Sequence, residues 1–141
     1  MYPDLSGFPV NAHVTPEILW LEAEDGVRFS NQIFLPKDLR PGEKRPAIVF
    51  VHGGPRRQMM PAYHYMQFYH WAYAYNQWLA NQGYVVLSVN YRSGIGYGLE
   101  FREALNYGAS GGAEFNDVMG AGLYMKGRPD VDGSRIGLWG G

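Results

Sequence analysis

Apolar residues along the chain fall first into short runs with strand character. Ile18 to Ala23 and Val27 to Leu35 are rich in branched and aromatic residues, and Glu24-Asp25-Gly26 between them carries the Asp-Gly punctuation of a β-hairpin. Pro36 to Pro46 is polar, with Lys37, Arg40, Lys44 and Arg45, after which Ala47-Ile48-Val49-Phe50-Val51 is apolar without interruption. A run with no polar alternation predicts a strand covered on both faces, as in a parallel sheet. From Tyr63 to Trp78, eight of sixteen residues are aromatic, and Phe68, Ala72, Tyr75 and Leu79 recur at i, i+4, i+7 and i+11. That spacing predicts a helix with this stripe inward and Gly83 as its C′ residue. Tyr84 to Val89 is the next strand. Glu100 to Tyr107 predicts a short helix and Glu114 to Lys126 a longer one, with Phe115, Val118, Gly122 and Met125 on one face. Gly120 and Gly122 each cost about 1 kcal/mol of helix propensity there, which points to close packing on a neighbour. Asp132-Gly133-Ser134 predicts a turn into a last strand, Arg135 to Trp139.

Strands alternating with helices after a hairpin predict an α/β fold: a mostly parallel sheet with right-handed crossovers and an N-terminal antiparallel hairpin. Residues 1–16, with three prolines and no periodicity, read as a linker or arm, and residues 17–141 as the folded domain. In such sheets chemistry gathers beyond the carboxyl ends of the strands, so the candidate loops begin at His52, Asn90 and Gly140.

Composition narrows the function. With 141 residues, 46% hydrophobic and 18% charged, the chain is one globular unit rather than a disordered tail or coiled coil. A net charge of −1 gives no electrostatic ground for nucleic acid or an acidic membrane surface. No apolar run approaches the roughly 20 residues of a membrane-spanning helix. Zero cysteines exclude disulfides, thiolate catalysis and cysteine metal sites. Met1 to Val10 has no basic region followed by an apolar stretch, so no signal peptide is expected, and the cytoplasm is the expected compartment. Of 19 glycines, 16 lie from Gly53 onward, which concentrates tight turns and close backbone approaches in the second part.

His52-Gly53-Gly54-Pro55 follows the buried strand directly. Consecutive glycines there let backbone N–H groups face a cleft, which suits an oxyanion hole; the competing reading is an ordinary strand-to-helix turn. Gly94-Ile95-Gly96-Tyr97-Gly98 fails as a dinucleotide fingerprint, because the third glycine of G-x-G-x-x-G falls on Leu99. Gly108-Ala109-Ser110-Gly111-Gly112 satisfies G-x-S-x-G literally but reads as a decoy, since the preceding Phe101 to Tyr107 is helical in character and a nucleophile elbow needs a strand. Ile136-Gly137-Leu138-Trp139-Gly140-Gly141 has that strand and the first elbow positions, and the serine is expected just after Gly141. His13, His52, His64 and His70 form no i, i+4 pair, so neither a metal site nor a cofactor is expected. No pair of carboxylates stands out for acid/base work. Arg56-Arg57, just past the glycines, is a candidate to face a substrate carboxylate, with Arg56 named as the binding residue and a solvated loop as the alternative.

Together, Val51-His52-Gly53-Gly54-Pro55, Leu79 to Tyr84, Asn90-Tyr91-Arg92, Gly96-Tyr97-Gly98 and Asp132 to Gly141 resemble the catalytic domain of prolyl oligopeptidase family serine peptidases, nearest the acylaminoacyl and dipeptidyl peptidases. The resemblance covers about residues 17 to 141. It implies part of an α/β-hydrolase fold, cut before the nucleophile, with a β-propeller upstream and short peptides as substrates. It also implies that His52, Gly53 and Gly54 form the oxyanion loop, with the Gly54 N–H as donor and a second donor after the missing serine. Dipeptidyl members hold a tyrosine at the position of His52, so histidine favours the acylaminoacyl pattern. Arg92-Ser93-Gly94 departs from the more usual Arg-Gly-Ser. The fragment alone is expected to be inactive; the alternatives are an α/β-hydrolase esterase and a non-catalytic truncated binding protein.

Overall fold

The computed structural model describes residues 6–108 and 112–141. Within them one sheet has the strand order β1-β2-β4-β3-β5, from β1 (Glu17–Glu22), β2 (Arg28–Phe34), β3 (Arg45–Val51), β4 (Val85–Asn90) and β5 (Val131–Gly140). Helix α1 spans Gln67–Asn81, α2 Leu99–Arg102 and α3 Ala113–Gly127. No helix among the described residues is long and apolar enough to cross a membrane.

The hairpin forms where the Asp-Gly signal lies. β1 and β2 pair antiparallel from Glu17 opposite Ile33 to Glu22 opposite Arg28, and Gly26 takes φ +81°, a conformation that favours glycine. β2 also runs antiparallel to β4, whereas β3 is parallel to both β4 and β5. The sheet is therefore mixed: the hairpin ladder is antiparallel as expected, and the β2–β4 ladder adds a second antiparallel pairing to the two parallel ones. β4 is central and buried at every position. Period-2 alternation splits the core. Val49, Leu87, Val89, Ile33 and Phe29 pack with Ala121 and Met125 of α3, and Phe34, Phe50 and Val86 pack with Tyr69, Ala72, Tyr73 and Leu79 of α1.

Both long helices are rotated from their predicted faces. In α1, Ala72 and Leu79 are buried as expected, but Phe68 and Tyr75 are exposed along with Trp71 and Trp78. The buried side includes Asn76 and Gln77 instead. Gln77 bonds both ways with the Val14 backbone, at 2.7 and 2.8 Å, docking the N-terminal arm, and Asn76 accepts from the Trp139 indole at 3.2 Å. In α3 the buried positions are Ala113, Asp117, Ala121 and Met125, while Phe115 is exposed and Gly122 faces open space. Close packing holds for Gly120 only, where a Cβ would sit 3.7 Å from the Ala23 Cα and the Phe29 ring. The predicted turn at Asp132-Gly133-Ser134 is absorbed into β5 as a register shift opposite Arg45 to Ala47, and the short helix closes after Arg102.

The rotation of α3 has an electrostatic cause. Arg92, just past β4, is buried, and Asp117 is fully buried. The Asp117 carboxylate accepts from the Arg92 backbone N–H at 2.7 Å, from Nε at 3.1 Å and from Nη2 at 2.6 Å. Arg92 also forks onto Asp25 in the hairpin turn, at 2.6 and 2.8 Å, and these bonds hold the Asp25 carboxyl down to about 2. Breaking a buried pair from one side leaves an uncompensated charge. Arg92→Met should destabilise the protein by about 3–5 kcal/mol, and Arg92→Met with Asp117→Leu by clearly less. Urea midpoints of the two variants check this; equal losses would mean that the charges are not coupled.

Candidate functional site

Parallel pairing of β3 with β4 and β5 brings three strand ends to one edge, with Val51 opposite Val89 on one side and Gly140 on the other. The loops after His52, Asn90 and Gly140 meet there, as expected of such a sheet. The approach is so close that glycine is required: a Cβ on Gly140 would lie 2.3 Å from the Val51 carbonyl oxygen, and one on Gly53 would lie 2.9 Å from the Gly141 oxygen. The Gly53 N–H donates to Gly141 O at 3.1 Å and to the Tyr69 hydroxyl at 3.0 Å, and that hydroxyl donates to Gly141 O at 3.3 Å. Gly54 has φ +120°, and among the described residues its N–H makes no hydrogen bond. A cavity of about 560 Å³ flanks Gly54, lined by Val51, Tyr91, Phe115 and Val118 and by the Glu114 carboxylate.

His52 is 2% exposed and stacks on Tyr91 with ring centroids 4.4 Å apart. The Tyr91 hydroxyl donates to the His52 carbonyl oxygen. Nδ1 of His52 lies 3.1 Å from Gly53 O, and a carbonyl can only accept, so Nδ1 carries the proton. Nε2 is then a buried acceptor without a partner among the described residues. Burial pulls the imidazole pKa down to about 4, so the ring is neutral at pH 7. His64 is a brace for the loop: its Nε2 donates to Gln58 O at 3.1 Å and its Nδ1 accepts from the Met66 N–H at 3.0 Å. His13, in the arm, bonds the hydroxyl of Tyr63 in the loop before α1, and no three His, Asp or Glu side chains converge as metal ligands among the described residues.

The two arginines after Pro55 diverge. Arg56 pairs with Glu103 at 2.8 Å and bonds the Tyr107 hydroxyl at 2.9 Å. Arg57 lies across Gly54 with its guanidinium 5.2 Å from the Tyr69 ring centroid. Ser110 of the G-x-S-x-G pattern lies outside the described residues.

Several site-shaping contacts escape sequence reasoning. Asn90 Oδ1 accepts from the Met59 N–H at 2.7 Å, and Gln32 and Asn90 both donate to Met59 O, at 2.6 and 3.0 Å, pinning the long loop after Pro55 to the sheet. The inverted Ser93-Gly94 order also has a physical reading. Ser93 occupies φ +72° with its hydroxyl donating to Glu114 at 2.8 Å, while a Cβ on Gly94 would meet Arg57 O at 2.6 Å. The serine carries backbone strain so that the glycine can sit against Arg57.

Residues 69–141 match the family model described as the prolyl oligopeptidase family. Dipeptidyl-peptidase 5 of Porphyromonas gingivalis is 34% identical over 86% of the chain, and human dipeptidyl peptidase 8 is 32% identical over 96%. The chain spans only 16% and 15% of the length of these two relatives. Among solved structures, an acylaminoacyl peptidase of Pyrococcus horikoshii superposes with a TM-score of 0.71 at 30% identity, covering 99% of this chain and 21% of that one.

Two measurements check the site's physics. A left-handed conformation costs a non-glycine residue about 1–2 kcal/mol, so Ser93→Gly should be more stable than Ser93→Ala by about 1 kcal/mol, opposite to the usual preference, by denaturant midpoint. For His52, the unfolded imidazole protonates near 6.5 whereas the folded one does so at about 4. The unfolded state therefore binds more protons between these values, and stability is full above about pH 6.5 and falls by roughly 3 kcal/mol toward pH 4. His52→Gln should show a visibly shallower decline over that window; identical slopes would contradict the assignment.

Proposed function

The chain belongs to the prolyl oligopeptidase family, and on that premise we propose that the protein is a serine peptidase that cleaves short peptides by acyl transfer. The observation that carries the reading is the Gly53–Gly141 contact, with the Gly53 N–H 3.1 Å from Gly141 O. In this reading the residue after Gly141 lies beside Gly54, whose N–H is unpartnered among the described residues. With a serine there, attack on the scissile carbonyl develops negative charge within reach of the Gly54 N–H, and the N–H after the serine is the second donor. The tetrahedral intermediate collapses to an acyl-enzyme that water then hydrolyses.

In this proposal Gly53 and Gly54 are the oxyanion loop and His52 shapes it. The neutral imidazole bonds Gly53 O and stacks on Tyr91, bracing the loop on which Gly54 lines the cavity. The histidine in place of tyrosine follows the acylaminoacyl pattern. The general base and its acid come from residues beyond those given, so residues 1–141 alone are inactive. Among the described residues, none of the hydrogen bonds of His13, His52 or His64 runs to a serine. Residues 1–16 serve as the arm to an upstream β-propeller that limits access to short peptides, and residues 17–141 open the hydrolase domain. Peptide is the only partner invoked, and no cofactor, metal, nucleic acid or membrane enters the reaction.

Gly54→Val in the intact protein tests the donor. A side chain at φ +120° is strained whatever room the flexible Arg57 side chain yields, and relief of that strain rotates the peptide that carries the N–H. Losing one such donor costs about 3 kcal/mol, so kcat on an acylaminoacyl anilide should drop roughly a hundredfold with little change in KM. An unchanged kcat would put the oxyanion donor elsewhere.

A further inference from the structure

Arg57 stands out among the cations of this edge. Its backbone is fixed from both sides: its N–H donates to Pro55 O at 2.7 Å, and its carbonyl accepts from the Ile95 N–H at 3.1 Å while crowding Gly94. Its side chain crosses Gly54 and rests on Tyr69, whose hydroxyl touches both Gly53 and Gly141. Yet it forms no ion pair among the described residues, whereas its neighbour Arg56 is tied to Glu103 and Arg92 to two aspartates. Its charge reaches into the site, where it opposes protonation of His52 and His64 and favours ionisation of Tyr91. A part-buried guanidinium with its fork unfilled, one side chain away from the oxyanion donor, is a receptor for a planar anion.

Resting on the serine-peptidase reading, we propose that Arg57 selects substrates carrying a carboxylate next to the scissile bond. Two sources present that chemistry: an acidic side chain, or the free C-terminus of a short peptide. The tyrosine face holds the guanidinium in place before substrate arrives, which lowers the ordering cost of a bidentate pair.

The test compares kcat/KM of the intact protein on matched peptides. One arm sets Glu against Gln at the residue after the scissile bond, and the other sets a free C-terminus against its amide. Wild type should favour the carboxylate about tenfold or more in at least one arm, which identifies the source, and the ratio should shrink as salt rises. Arg57→Gln should bring that ratio to about one, Arg57→Lys should keep part of it, because charge remains without the fork, and Arg56→Gln should keep it. A wild-type ratio near one in both arms, or a ratio that survives Arg57→Gln, would overturn the assignment of Arg57. Labelling by a fluorophosphonate separates the two levels. Labelled wild type with a ratio of one removes only the role of Arg57, whereas wild type that is neither labelled nor active removes the peptidase reading and this inference with it.

Discussion

A guanidinium cut off from water has to be enclosed by carboxylates, and the position of Arg92 imposes that demand on three parts of the fold. It leaves β4 at the sheet's buried centre, so its partners must come to it. Asp117 comes from α3 and Asp25 from the hairpin turn. Once Asp117 faces inward, the remaining buried positions of α3 follow at four-residue steps, Ala113, Ala121 and Met125, and Phe115, Met119 and Leu123 are left outward. The small side chains on the inner face, with Gly120 against Phe29, let the helix approach closely enough for the pair to form. Within residues 1–141 the buried charge pair and the larger apolar residues therefore lie on opposite faces of this helix.

The same loop turns the corner that builds the site. Tyr91 is the platform for His52, Arg92 locks the turn, and Ser93 takes a left-handed conformation so that Gly94 can lie against the Arg57 carbonyl. From the other side, Asn90 and Gln32 hold Met59. The loop after Pro55 is thus clamped at Arg57 by Gly94 and Ile95 of the loop after β4, and at Met59 by Gln32 and Asn90 on the sheet. Rigid support of this kind is what the proposed oxyanion donor would need, since the value of such a donor lies in being aimed before charge develops. The glycines at positions 53, 140 and 141 serve a different purpose, letting two strand ends and a helix tyrosine converge at backbone contact distance.

Much of this was legible from local pattern. The uninterrupted apolar runs at 47–51 and 84–89 marked the inner strands, and Asp25-Gly26 marked the hairpin. Gly83, at φ +92°, ended α1 where expected, and the double glycine after His52 marked the loop at the strand ends. These features are readable because each depends on a residue's own backbone freedom or on coverage of both faces of one strand. Which way each helix turns its side chains was not legible. Phe68 and Tyr75, on the predicted stripe, are exposed, while Asn76 and Gln77, which lie off it, are buried. The different surroundings of Arg56 and Arg57 were equally invisible, since adjacent identical side chains differ only in what the fold sets beside them. Sequence determined the elements, their order and the edge where the loops meet; tertiary structure decided the mixed sheet, the helix rotations and the pairing of buried charge. The reason is that a buried polar group is stabilised by a specific partner distant in sequence, such as Asp117 for Arg92 or the Val14 backbone for Gln77, and no local periodicity encodes that partner.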